Sequence, residues 1–69
     1  MQREAVSSSN VAAIGYEESS STLEVEFLDG SVYQYFDVPL NVYEGLKSAS
    51  SIGGYLAKVI KGAYRYSRV

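Results

Sequence analysis

From Lys58 to Arg68 the chain reads "KVIKGAYRYSR", so that Lys58, Lys61, Arg65 and Arg68 alternate with Tyr64 and Tyr66. Ammonium and guanidinium groups neutralise phosphates, and tyrosine rings offer faces on which unpaired bases stack. The composition therefore suits weak binding of RNA, of another single-stranded nucleic acid, or of a polyanion. A competing reading has Tyr64 packed back on a sheet with the cations simply solvated, and the acidic pI near 4.9 weighs toward it.

Two other groupings could do chemistry. "SSIGG" (50–54) offers serine hydroxyls and free backbone N–H groups at a helix start, so Ser50, Ser51, Gly53 and Gly54 form a candidate anion site. Capping by Ser50 or Ser51, with close packing at the glycines, explains the same residues and is the favoured account. Glu24 and Glu26 point to the same side of a strand and could mimic a catalytic carboxylate pair. A solvated strand face accounts for them fully. The chain has no cysteine and no histidine, which removes thiolate and imidazole nucleophiles, bases and metal ligands together. No catalytic residue, metal site or cofactor is expected, and the chain reads as a non-enzyme.

These candidates sit on an uneven charge distribution. Residues 1–43 hold Arg3 against Glu4, Glu17, Glu18, Glu24, Glu26, Asp29 and Asp37; residues 44–69 hold Lys47, Lys58, Lys61, Arg65 and Arg68 against Glu44. Such a split yields either a cationic face or neutralisation between the halves. At 69 residues there is room for one domain, expected over 11–69 behind a flexible, serine-rich arm at 1–10. Nothing resembles a membrane span or signal peptide, so the expected setting is cytoplasmic, with no membrane contact.

Periodicity supplies the elements. "VAAIGY" (11–16) reads as a short strand with Ala12, Ile14 and Tyr16 on one face. "TLEVEF" (22–27) alternates Leu23, Val25 and Phe27 with Thr22, Glu24 and Glu26, the pattern of a half-buried antiparallel strand. Asp29-Gly30 marks a hairpin, with a third strand over 31–38 that ends at Pro39. Asn41 and Glu44 resemble a capping box opening a helix over 40–48, on which Tyr43 and Leu46 share a face. A second helix runs from its serine cap to about Lys61, with Ile52, Tyr55 or Leu56, and Val59 or Ile60 at helical spacing. Gly62 suits a left-handed stop, and 63–69 leave as an extended tail. The expected fold is α+β: a three-stranded antiparallel meander packed against two short helices.

The hairpin register decides where Tyr33 and Tyr35 point. A two-residue Asp29-Gly30 loop would set Val25 against Gln34 and bury the amide. A three-residue loop with Gly30 left-handed sets Val25 against Tyr33 and Leu23 against Tyr35, leaving Gln34 beside Glu24. A one-residue slip exchanges the faces completely. Burying an unpartnered amide costs about 1–3 kcal/mol, which favours the second register. Val32 and Phe36 are then left more exposed unless a terminus covers them. The expected core is Leu23, Val25, Phe27, Tyr33, Tyr35, Val38, Leu46, Tyr55 and Ile60.

"SSNVAAIGY", "TLEVEF", "YQYFDVP", "ASSIGGY" and "IKGAYRYSRV", in this order and spacing, closely resemble the KTSC domain. That family is named for its occurrence at the carboxyl end of some lysyl-tRNA synthetases and also includes free-standing short bacterial proteins. Its Tyr-x-Tyr motif falls on Tyr33 and Tyr35, its Val-Pro on Val38 and Pro39, its helix entry on Ser50, Ser51 and Gly53, and its closing motif on Ile60, Lys61, Gly62 and Tyr64. The resemblance covers roughly residues 6–69 and implies an uncharacterised module for which RNA binding is suggested by context. Ile52, Gly54 and Ala63 are neutral where the resemblance leads one to expect Lys or Arg, which dilutes the cationic face. The expectation drawn is a small non-enzymatic module binding RNA weakly through its basic carboxyl half. The alternative is a protein-docking module or homodimer using the sheet face around Val32 and Phe36, or an edge strand.

Overall fold

A computed structural model describes all 69 residues as one α+β unit. The sheet has five strands rather than three: β1 (Arg3–Ala5), β2 (Val11–Glu17), β3 (Thr22–Phe27), β4 (Val32–Tyr35) and β5 (Tyr66–Arg68). Their spatial order follows the sequence, and every pairing is antiparallel. Both additional strands come from segments read as irregular. The expected arm at 1–10 carries β1, which pairs with β2, and the expected tail carries β5, which pairs with β4. Three-residue strands are too short to show periodicity, so neither stood out in the sequence.

β2 contains a bulge between Val11 and Ala13, which moves Val11 rather than Ala12 onto the face shared by Ile14 and Tyr16. Val11 is fully buried and Ala12 only half-buried, a correction to the simple alternation. The hairpin adopts the three-residue loop. Val25 lies opposite Tyr33, Leu23 opposite Tyr35 and Glu24 opposite Gln34. Gly30 is left-handed at φ +92, and its N–H donates to the Phe27 carbonyl at 2.9 Å. Gln34 lies on the open face, where its Nε2 donates to Glu24 Oε1 at 2.9 Å. On that face Arg3 sits 3.3 Å from Glu24 and 3.9 Å from Glu26, tying the two carboxylates to a cation.

β4 ends before Phe36, earlier than expected, because Asp37 turns the chain at φ +58. The Val38 N–H donates to the Ser21 carbonyl at 2.9 Å, and the Tyr16 hydroxyl donates to the Val38 carbonyl, pinning the strand exit to the β2–β3 turn. α1 (Leu40–Ser48) follows with Pro39 at its N-cap and no side-chain cap, so the Asn41–Glu44 capping box does not form. Proline already fixes the entry, and its carbonyl accepts the N–H groups of Val42 and Tyr43. Tyr43 stacks on Tyr16, with ring centres 4.8 Å apart, and burial pushes its hydroxyl above the usual phenol range.

α2 (Ile52–Tyr55) runs directly into a π turn (Leu56–Ile60), where the Lys61 N–H reaches back five residues to the Leu56 carbonyl at 2.8 Å. Leu56 and Ile60, four residues apart, both face the core while Val59 stays on the surface. Two helices therefore lie in the connection between the adjacent strands β4 and β5. The core comprises Val11, Ile14, Leu23, Val25, Tyr35, Val38, Leu46, Ile52, Leu56 and Ile60. Six of the nine expected core residues belong to it, and Phe27, Tyr33 and Tyr55 are half-buried against it.

Candidate functional site

Cross-strand pairing on β4 and β5 creates the site. Tyr66 lies opposite Tyr35 and Arg68 opposite Tyr33, so these four share the helix-bearing face of the sheet, while Ser67 opposite Gln34 takes the other. The helices cover the middle of this face and leave its β4–β5 side open. There the Tyr66 ring lies 5.8 Å from Tyr33 and 5.7 Å from Tyr35, and Phe27 meets Tyr33 edge-on at 5.7 Å.

Lys61 arrives from the opposite side. The π turn delivers it in extended backbone, and Gly62 at φ +83 then swings the chain toward β5. Its Nζ sits 5.4 Å from the centre of the Phe27 ring, and the Arg68 guanidinium sits 5.9 Å from that of Tyr33. Phe27, Tyr33, Tyr35, Lys61, Gly62 and Tyr66 thus line a cleft of about 560 Å³. Tyr35 forms its floor at 3% exposure, and Tyr66 its outer wall at 62%. Burial, then the neighbouring Tyr33 and Tyr66 hydroxyls, push the Tyr35 phenol above its ordinary range, so it remains a neutral group at physiological pH.

The basic residues of the carboxyl half are only partly brought together. Lys61 and Arg68 converge on the aromatic cluster. Arg65 turns away: its Nη2 donates to Asp37 Oδ2 at 3.1 Å, and its guanidinium lies 6.0 Å from the Phe36 ring centre. Lys58 is exposed on the π turn and makes no ion pair, and Tyr64 is half-buried against the core. Asp29 stands on the hairpin near this side of the molecule. The Ser31 hydroxyl and N–H donate to it at 2.6 and 2.9 Å and hold its carboxyl below the ordinary range, with the Arg68 charge adding to the effect.

The serine–glycine segment is occupied by local structure. Ser51 Oγ accepts the Gly54 N–H at 3.1 Å, while Ser50 makes no cap. A Cβ at Gly53 would come within 2.5 Å of Asn10 Oδ1, so that glycine leaves room for the Asn10 amide beside α2. Val32 and Phe36 are both half-buried, because the chain returns over them: Phe36 donates to the Arg65 carbonyl, and Val69 to the Val32 carbonyl, each at 2.9 Å.

Phe27, Tyr33 and Tyr35 line the cleft although the sequence assigned them to the core, Phe27 by alternation with Leu23 and Val25 and the two tyrosines by the hairpin register. For Phe27, its position as the last residue of β3 was the available signal.

The family model for the KTSC domain matches residues 7–66. Over 59 residues the chain is 46% identical to a lysine–tRNA ligase of Nostoc, and over 54 residues 50% identical to one of Trichormus variabilis. Those alignments span 86% and 78% of this chain but only 10% of each ligase. An uncharacterized protein of Stutzerimonas stutzeri is 40% identical over all of this chain and 99% of its own length. The crystal structure of a KTSC domain protein from Yersinia pestis superposes with a TM-score of 0.94 at 38% identity, covering 99% of this chain and 96% of that one.

Proposed function

Given that this chain belongs to the KTSC domain family, we propose that it is a non-enzymatic module that binds single-stranded RNA weakly. The observation that carries the proposal is the seating of Lys61 and Arg68 over rings of one open aromatic cleft. Cations neutralise phosphate, and the 62%-exposed Tyr66 ring offers a face for a base. A cleft of four aromatic residues also suits a quaternary ammonium, but two resident cations repel such a ligand and attract an anionic one. The relatives named lysine–tRNA ligase carry a unit of this kind within a much longer chain, which favours RNA among polyanions.

Titrating the protein against a fluorescent single-stranded RNA at several salt concentrations tests the proposal. Binding is expected at low salt and should weaken steadily as salt rises. The Lys61→Ala/Arg68→Ala double variant should lose most of the affinity, and Lys58→Ala little. Absence of binding at low salt, or affinity indifferent to salt, would end it.

A further inference from the structure

We infer that the cleft accepts a single unpaired nucleotide, one flat heteroaromatic ring with its phosphate, and does not track a strand. The inference rests on the RNA-binding proposal and adds to it the size and chemistry of the ligand. Four observations limit the site.

The first is its dimensions. A volume of about 560 Å³ closed at the bottom by Tyr35 has the scale of a small-molecule pocket. Single-strand binders of the OB type spread their contacts over about 4–16 nucleotides.

The second is the supply of cations. The chain has six Lys and Arg residues, and three are committed to carboxylates: Arg3 to Glu24 and Glu26, Lys47 to Glu4, and Arg65 to Asp37. Of the remaining three, Lys58 lies outside the cleft and only Lys61 and Arg68 adjoin its rings. Two cations can neutralise the phosphates flanking one base and no more.

The third is what surrounds the cleft. Asp29, held ionised by Ser31, shares with Lys61 the neighbouring depression formed by Ser9, Asn10, Phe27 and Leu28. A backbone leaving the cleft that way meets a carboxylate.

The fourth is the arrangement of the rings. Phe27 and Tyr33 meet edge to face, and Tyr66 is tilted by 50° from Tyr33 and by 40° from Tyr35. Successive bases stack on parallel surfaces laid along a groove. Rings packed on one another at such angles present no run of parallel surfaces, and the exposed face of Tyr66 leaves room to stack one base.

The same chemistry is offered by a free nucleoside monophosphate and by an unpaired nucleotide in an RNA chain. A titration followed by backbone amide NMR shifts separates them, using AMP and 5′-phosphorylated single-stranded oligoadenylates of two, four, eight and sixteen nucleotides, in which even the dinucleotide has a phosphate on each side of its first base. Shifts at Phe27, Tyr33, Lys61, Tyr66 and Arg68 are expected with the dinucleotide. Affinity corrected for the number of starting positions should then be flat from the dinucleotide to the sixteen-mer. For two phosphate contacts, the slope of log K against log salt should be about −1.4. AMP shifting the same residues with similar affinity assigns the site to the nucleotide alone. Shifts that begin only with the dinucleotide assign it to a nucleotide within a chain. Tyr66→Ala should reduce the dinucleotide affinity about tenfold or more, while Tyr66→Phe retains it. A corrected affinity that climbs with each doubling of length, or a slope steeper than about −3, would overturn the single-nucleotide site while leaving RNA binding standing. No shifts with any probe at low salt would overturn both.

Discussion

Asp29 shows how a fully exposed residue can carry structural information. Its carboxylate accepts the N–H and the hydroxyl of Ser31, closing the hairpin loop across Gly30, which turns the chain back. These bonds favour the ionised form, so the native carboxyl is harder to protonate than the unfolded one. The stabilisation is therefore complete above the unfolded value near pH 4 and is lost as pH falls through the lower native value. Thermal melts of the parent and Asp29→Asn proteins should differ at neutral pH and converge as the pH is lowered toward 2. A constant difference across that range would mean that the carboxylate charge contributes nothing. Arg65 and Asp37 offer the opposite lesson: their pair is bidentate in neither direction and exposed on both sides, so its worth is small. Its effect is on where Arg65 points, which is away from the cleft.

At the scale of elements, β1 depends on a glycine in its neighbour. A Cβ on Gly15 would approach the Gln2 backbone carbonyl to 2.5 Å, and backbone cannot yield as a flexible side chain does. Gly15→Ala is expected to push β1 off the sheet and cost about 1–3 kcal/mol in chemical denaturation, releasing the contacts of Arg3 to Glu24 and Glu26. A fully protected set of β1 amides in hydrogen exchange of that variant would refute the account. β1 was not legible in "REA", whose three residues are all exposed, whereas the six residues of "TLEVEF" announced their strand and their buried face. The hairpin register was legible because a buried glutamine is costly. Two features were hidden by the same limit on periodicity: one added residue in β2 exchanges Ala12 for Val11, and one added residue per turn makes the end of α2 a π turn. Of the residues around the candidate cleft, the sequence singled out Lys61, Tyr66 and Arg68, while it assigned Tyr33 and Tyr35 to the core. Which of them converge was set by β5 pairing to β4, a non-local event that no short stretch encodes.

The whole molecule is a single sheet with one face under two helices and the other bearing the Arg3–Glu24–Glu26 cluster. Its edges are strands of three residues each, and β5 is bracketed by Arg65 and Arg68, so little unpaired backbone is offered to another copy. Sedimentation velocity across a hundredfold range of concentration should give one monomeric species; a concentration-dependent shift would restore the homodimer reading. Chain length itself is negotiable at one place. The ring that closes on Leu56 and Lys61 contains one residue more than an ordinary helical turn needs. Dropping surface-facing Val59 tightens that ring without requiring either end to move, so the deletion should be silent for the fold and for the lysine over Phe27. Equivalent deletions in the ordinary α-helical turns of α1 would rotate everything downstream, which makes this one loop of backbone a natural slot for gain or loss of a codon.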